Sequence, residues 1–424
     1  MAKKINDVLN EVLGKVKLPK EKLDEFETAL NDFIKKLKKR IDLLNIDAEI
    51  FVGGSFAKKT VIKKEKYDAD VFLRFNKKYN KEISILTKRL LQGVENVTVV
   101  HGSRDYFQIK LSEDFFIELI PVIKVKKPEE SENITDLSYS HVKYLNKKVK
   151  SQKMRDEILL AKAFCYANHC YGAESYIKGF SGYALELLVY HYKSFSKFLK
   201  ESIKIKEKTV IDIEKYFKKK NQALMDLNES KLSSPIVLID PTFKHRNALA
   251  ALSNETFEKF QKDAKAFLKS PSEKSFELQK KDLDAVKKKA EKLKQEFILL
   301  ESKTQKQEGD VAGSKLLKFY RHLDKEVSEF FNIKDKGFNY NQKQSARFFF
   351  VTKPKKEILI VGPNINDEKN VKAFEKAHKN YFTKKGKIYA KELIDFSLKE
   401  FIEKWKKKNS QKITEMYVER LKIL

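Results

Sequence analysis

The chain has 424 residues, with 89 Lys and Arg against 60 Asp and Glu and a formal net charge of +29. Such a length calls for several domains around sizeable cores, and such a charge is the electrostatic footprint of a polyanion partner. No run approaches a membrane helix, Met1-Ala-Lys-Lys-Ile5 has no targeting character, the seven histidines form no H-x-x-x-H pair, and the two cysteines suit neither disulfide nor zinc. The expectation is therefore a cytoplasmic protein with no membrane partner, in which Cys165 and Cys170 are core packing.

In chain order, helical residues from Ile5 to Leu43 lead into a small mixed sheet ending near Val125. Ala48 to Val52 is predicted as a short strand, Gly53-Gly54 as a turn, and Ser55 as the N-cap of a short helix. Asp68-Ala-Asp70 opens the apolar run Val71 to Phe75, so on a strand the two acids share one face while Ala69 and Val71 point to the core. Tyr106 to Leu111 and Phe115 to Val122 form a hairpin about the polar turn Ser112-Glu-Asp114. Glu118 is the lone acid in the second of these strands and needs a partner or a metal. Lys126 to Ile134 is a polar link. From Asp136 to about Leu252 the apolar spacing is mostly helical, interrupted near Gly172, Gly179 and Gly182. Further on, Leu283, Val286, Ala290, Leu293, Phe297 and Leu300 recur at heptad spacing, which by itself extends one helix through Leu300. Phe348 to Thr352 and Ile358 to Val361 are strands, Gln305 to Ser314 a loop, and the rest of the chain lysine-rich helix and turn. The runs Lys218 to Lys220, Lys287 to Lys289 and Lys406 to Lys408 are singly solvated helix faces; their sum favours a nucleic acid.

The chemistry lies in the conjunction of three features. Gly-Ser turns are common in loops, D-x-D triplets are mostly surface acids, and an edge glutamate often faces water. In this order, however, Phe51-Val-Gly-Gly-Ser-Phe-Ala-Lys-Lys-Thr60 supplies a phosphate-cradling turn, and Asp68, Asp70 and Glu118 supply three carboxylates for two hard divalent ions.

These residues resemble the polymerase-β-like nucleotidyltransferases. Asp156-Glu-Ile-Leu-Leu-Ala-Lys162, Tyr171-Gly-Ala-Glu174, Lys178-Gly-Phe-Ser-Gly-Tyr183, Glu186-Leu-Leu188 and Asp240-Pro-Thr-Phe-Lys-His-Arg-Asn-Ala-Leu-Ala-Ala-Leu-Ser253 look like the neck of the archaeal-type, class I CCA-adding enzymes. Ile360-Val-Gly-Pro363 and the helix after it resemble the family's C-terminal part more loosely.

The resemblance implies an α+β multidomain chain. Residues 1–135 would be a catalytic nucleotidyltransferase head with a small mixed sheet, 136–255 a helical neck that binds nucleotide and the tRNA end, and 256–424 an α/β body and tail that bind tRNA. It also makes Phe297 to Glu301 a strand, and we favour that over the heptad helix. It implies addition and repair of the tRNA 3′-terminal CCA from CTP and ATP without a template, with two Mg²⁺ ions on Asp68, Asp70 and Glu118. Gly54, Ser55 and Lys58 would hold the triphosphate. Ser138, His141, Lys162 and Tyr171 match positions that reach the nucleotide, and Arg246 with Asn247 the element that reads the base. The partner would be tRNA, through acceptor stem and elbow, and not DNA. Oligomeric state stays open, a homodimer being one option.

The chain departs from the family in having Asp68-x-Asp70 then Glu118, where Glu-x-Asp then Asp is usual, and Lys58 where arginine is common. Taken without the family, Lys162 is an exposed helix lysine, and Asp240-Pro241 an N-cap that leaves Arg246 on the surface one turn on. The alternatives are a poly(A)-type or antibiotic nucleotidyltransferase sharing the head, and a catalytically silent tRNA-binding protein on the same scaffold.

Overall fold

A computed structural model describes residues 2–102, 104–278, 281–306 and 308–424, without the side chains of residues 2 and 3. Two compact units divide the chain at residues 279 and 280.

Among the described residues the first unit holds two large cores and a smaller cluster of Ala223, Leu227, Val237 and Ile239. Helices α1 (Ala2–Val16) and α2 (Lys20–Leu43) are separate because Pro19 stands at the N-cap of α2, where its fixed φ and missing N–H break the run expected from Ile5 to Leu43. The two go to different cores. The apolar stripe Phe26, Leu30, Phe33, Leu37 and Ile41 of α2, with α4 (Ile83–Leu90), covers a five-stranded sheet. Its strands are β1 (Ala48–Val52), β2 (Tyr67–Phe75), β3 (Val97–Val100), β4 (Tyr106–Lys110) and β5 (Phe115–Ile123), in the order β1-β2-β5-β4-β3. Only β2 and β5 run parallel. Ala69, Val71 and Leu73 face this core, with Phe26 stacked on Phe115 at 4.2 Å between ring centroids. The two-residue period therefore turns Asp68 and Asp70 to the opposite face. The short helix α3 (Gly54–Ala57) sits between β1 and β2 in the chain.

The second core is built from Ile5, Leu9 and Val12 of α1 and from α5 (Ser138–Lys148), α6 (Gln152–Ala167), α7 (Gly182–Tyr192), α8 (Phe195–Ser202) and, beyond α9 (Lys220–Asp226), α10 (Asn254–Lys269). Phe164, Phe180, Phe198, Phe260 and Phe267 are fully buried in it, and so are Cys165 and Cys170. Helix α10 gives Phe257, Phe260, Ala264 and Phe267 to this core, so it belongs with residues 136–255 rather than with the second unit.

The helical expectation for 136–252 fails after Ser202. Strands β6 (Thr209–Asp212), β7 (Ile236–Asp240) and β8 (Phe243–Asn247) form a small sheet, β6 parallel and β8 antiparallel to β7. The reason is local: Ile236-Val-Leu-Ile239 is an unbroken, fully buried apolar run, which suits a central strand. Asp240-Pro241 then closes a hairpin instead of starting a helix, with the Thr242 N–H and hydroxyl both donating to Asp240 Oδ1 at 2.8 Å.

In the second unit, α11 (Leu283–Lys292) ends before β9 (Glu296–Lys303), so the strand and not the heptad helix is observed. Residues 298, 300 and 302 are its buried positions, a period of two. With β10 (Phe331–Tyr340), β11 (Ser345–Pro354) and β15 (Arg420–Ile423) it makes an antiparallel sheet in the order β10-β11-β9-β15. Helix α12 (Asp310–Phe330) begins inside the segment expected as a loop, of which residue 307 lies outside the described residues. The tail is not only helix and turn. Strands β12 (Glu357–Asn364), β13 (Tyr381–Lys384) and β14 (Lys387–Leu393) form a second sheet, with α13 (Glu368–Ala377) between β12 and β13 in sequence and α14 (Leu398–Lys408) after them. Lys385 and Gly386, both at positive φ, close the β13–β14 hairpin.

Candidate active site

The site is built where β2 and β5 lie side by side. Their register puts Asp70 directly opposite Glu118, with Asp68 two residues before Asp70 on the same face. One strand further across, Gln108 of β4 pairs with Glu118 and its side chain hydrogen-bonds to that carboxylate. Burial, reinforced by Asp70 and Asp68, pushes the Glu118 carboxyl up to about 8. Burial and Asp68 push Asp70 up to about 6, against the pull of Lys58 and Lys162. The phenol of Tyr106, on β4, is pushed up to about 12 by burial and the same three acids. This ledge of carboxylates calls for protons or a cation. No group of three His, Cys, Asp or Glu side chains among the described residues already converges as a metal site. An all-oxygen donor set of ionisable acids nevertheless fits a hard divalent ion, whose charge would replace the protons.

The Gly-Ser turn lies on this ledge. The Gly53 N–H donates to the Asp70 carbonyl at 2.8 Å, and Gly54 has φ +59°. A Cβ on Gly54 would stand 1.6 Å from Asp70 Oδ2, so only glycine lets the turn approach the carboxylate. Gly53, in extended conformation, is the N-cap of α3; Ser55 is inside the helix and does not cap it. Ser55, Thr60, Lys64, Asp68, Lys162 and Tyr171 line one cleft. The ring of Gly182's neighbour in space, Tyr171, is held close: a Cβ on Gly182 would meet the Tyr171 hydroxyl at 2.8 Å.

Lys162 is not an exposed helix lysine. It is 2 % exposed, and its Nζ donates to Thr60 Oγ1 at 2.8 Å, to the Thr60 carbonyl at 3.1 Å and to Glu186 Oε1 at 2.7 Å. Lys58 Nζ reaches the other oxygen of Glu186 at 2.6 Å. Burial, aided by Lys58 and Lys64 and opposed by Glu186, lowers the Lys162 ammonium, while Glu186 stays ionised because the two lysines outweigh its burial.

A second cluster centres on Asp240, fully buried at the end of β7. Its Oδ2 accepts from Arg246 Nη1 at 2.6 Å and meets His141 Nε2 at 3.0 Å, and its Oδ1 accepts from the Tyr183 hydroxyl at 3.0 Å. His141 stacks on Tyr183 with centroids 4.0 Å apart, and burial lowers its basicity despite Asp240. Arg246 is thus part-buried on β8, held through one nitrogen, and its Nε is buried with no partner among the described residues. Ser138 opens α5, one turn before His141. Asn247 is a different case. Its Oδ1 accepts from the Leu238 and Leu249 N–H groups and its Nδ2 donates to the Lys231 carbonyl and Ser234 Oγ, which uses its whole hydrogen-bonding capacity inside the protein. Its place is to brace the β7–β8 hairpin beside Arg246.

Residues 156–277 match the family model for the second domain of tRNA nucleotidyltransferases. A CCA-adding enzyme of Nanoarchaeum equitans is 40 % identical over 241 residues, 56 % of this chain and 59 % of that one. The CCA-adding enzyme of Methanocaldococcus jannaschii is 26 % identical over 400 residues, 91 % of this chain and 87 % of that one, and that of Archaeoglobus fulgidus 26 % over 415 residues, 94 % and 88 %. Across most of its length the chain is similar to archaeal CCA-adding enzymes. The match to the first of these relatives therefore spans less than two thirds of its length, and the matches to the other two nearly all of theirs. In three dimensions the Cid1 poly(U) polymerase with Mg and 3′-dATP covers 66 % of this chain and 100 % of its own at a TM-score of 0.52 and 13 % identity. A cytoplasmic RNA terminal U-transferase gives 66 %, 100 %, 0.51 and 15 %. These likenesses carry the polymerase-β-like nucleotidyltransferase fold.

Members of the site that the sequence reading gave no role are Gln108, Thr60, Glu186, Tyr183 and Asp240. Gln108 was legible from the hairpin, since it must sit opposite Glu118. Glu186 carried the same signal as Glu118, a lone acid within an apolar run.

Proposed function

We propose that this protein adds and repairs the 3′-terminal CCA of tRNA, using CTP and ATP without a nucleic-acid template. The observation that supports it most is the register of Asp70 against Glu118 on parallel strands, directly beneath a Gly54 that cannot carry a side chain. In each cycle the tRNA 3′-hydroxyl attacks the α-phosphorus of the incoming nucleotide, a new phosphodiester forms, and pyrophosphate leaves. Asp68, Asp70 and Glu118 would hold Mg²⁺. Bound there, the ions would neutralise charge on the reacting and departing oxygens.

The protein's own groups do the rest. Ser55, Lys58, Lys162 and Tyr171 stand around the cleft and the lysine cluster where a triphosphate would lie. Arg246, fixed by Asp240, keeps its remaining N–H donors for the base. Those donors suit the acceptors at N3 of cytosine and N1 of adenine and oppose the N–H of uracil and guanine at the same position. Ser138 and His141 would border that base pocket, with His141 acting through Asp240. Residues 1–135 would carry the chemistry, 136–255 together with α10 the nucleotide and the RNA end, and the basic second unit, 280–424, the tRNA body, from acceptor stem to elbow. No helix among the described residues is long and apolar enough to cross a membrane, in keeping with a cytoplasmic enzyme.

The test is incubation of the protein with Mg²⁺, the four NTPs singly and mixed, and a tRNA lacking its 3′ end, followed by sequencing of the products. Addition of CCA and then arrest is expected. A run of adenosines would move the activity to the poly(A) type, and tRNA binding without extension would identify a silent scaffold.

A further inference from the structure

Glu186 is 1 % exposed on α7, and its hydrogen bonds reach Lys58, Thr60 and Lys162 beside the nucleotide cleft. Its Oε1 accepts from Lys162 Nζ at 2.7 Å and Thr60 Oγ1 at 2.8 Å, and its Oε2 accepts from Lys58 Nζ at 2.6 Å. Lys58 and Thr60 follow the Gly-Ser turn, while Lys162 comes from α6, so one carboxylate ties two cations from separate elements. Within the cluster two ammonium groups face one carboxylate, leaving one positive charge in excess. A lock between the segment and the helices would need a single cation, and a buried ion pair is in any case weak evidence for stability. The excess charge lies where Ser55, Thr60, Lys162 and Tyr171 line the cleft beside Asp68. Asp70 feels both Lys58 and Lys162.

We propose that Glu186 is a positioning residue for the polyphosphate of the incoming nucleotide: it holds Lys58 and Lys162 together so that their excess positive charge is preset for a nucleoside triphosphate, whatever its base. This rests on the nucleotidyltransferase reading given above, and it adds that the carboxylate acts through the lysines and touches no substrate.

The experiment compares wild type with Glu186→Gln, Glu186→Asp, Lys162→Met and the double variant Glu186→Gln/Lys162→Met. It measures kcat and KM for CTP, ATP and tRNA, and equilibrium binding of CTP and of CMP without tRNA. Glu186→Gln should raise KM for CTP and for ATP alike, by about tenfold for the loss of a charge-assisted hydrogen bond to each lysine. KM for tRNA should stay within about twofold, since a neutral, isosteric amide leaves the RNA surface untouched. CTP binding should weaken and CMP binding stay the same. Glu186→Asp should recover part of the loss, and the double variant should lose less than the sum of the two single variants, because once Lys162 is gone Glu186 still places Lys58 but no longer Lys162. Equal losses for tRNA and nucleotide, loss in kcat only, equal weakening of CTP and CMP, or additive effects would overturn the proposal. If Glu186→Gln does not fold, Glu186→Asp decides by the same split. If wild type does not extend tRNA, the activity reading fails on its own, and the comparison of CTP with CMP still decides the role of Glu186.

Discussion

At Gly54 a single hydrogen atom decides whether the site exists. The turn must come within contact of Asp70, and a methyl group there would overlap Oδ2 while also occupying φ +59°. Gly54→Ala should therefore lower nucleotide incorporation by about 10²-fold, the scale of a one-ångström misplacement, and stability by about 1–2 kcal/mol for the left-handed backbone. Steady-state kinetics with CTP and a thermal melt check both; full activity would mean the turn does not need its approach to Asp70.

The same ledge gives a pH dependence. Burial with Asp70 and Asp68 raises the Glu118 pKa to about 8, burial with Asp68 raises that of Asp70 to about 6, and a bound cation must displace those protons. Divalent-ion affinity in the absence of nucleotide should thus weaken as pH falls from 8 towards 5.5, by about tenfold per pH unit for each proton released. Titration of Mn²⁺ in buffers of different ionisation enthalpy reads the proton count directly. Glu118→Gln should lower the affinity and remove the component between pH 8 and 6. A pH-independent affinity, or one unchanged by Glu118→Gln, would remove Glu118 from the metal site. The acids themselves were legible because period and register are simple on strands; the partners of Lys162 and Asn247 were not, since burial of a polar side chain depends on contacts more than a hundred residues or a whole hairpin away.

Among the elements, α1 is the one whose allegiance the sequence hides. Its periodicity runs on towards that of α2, yet Pro19 separates them, and Ile5, Leu9 and Val12 pack with Phe164 and Leu188 and not with the sheet. Leu9→Ala should cost about 2–5 kcal/mol as a large-to-small core change. Hydrogen exchange should then rise in α6 and α7 while β2 keeps its protection. Equal loosening of β2 would show that α1 supports the head core instead. The strands were read well where apolar residues alternate or run unbroken, as in β2, β5 and β11. The sheet β6-β7-β8 was lost because Asp240-Pro241 imitates a helix start, and β13–β14 because short exposed strands carry little apolar signal, although Lys385-Gly386 marked their turn.

For the whole molecule, the question is whether a net charge of +29 is there to meet RNA or reflects a lysine-rich composition with no contact role. The two causes predict different salt laws. Lysines that neutralise phosphates release counterions, and log Kd then rises with log salt by about 0.7–0.9 per phosphate engaged. A tRNA held from acceptor stem to elbow should engage at least about six phosphates, so affinity should fall by about 10³-fold between 50 and 200 mM salt. Nucleotide binding should respond much less, because Lys58 and Lys162 are buried with Glu186 and screened from the solvent ions. Filter binding of tRNA and equilibrium binding of CTP over the same salt series separate the two slopes. A steep tRNA slope beside a shallow CTP slope places the charge on the RNA surface. A shallow tRNA slope would leave most of the 89 cationic residues as solvated helix faces, and would confine RNA recognition to the few groups around the cleft.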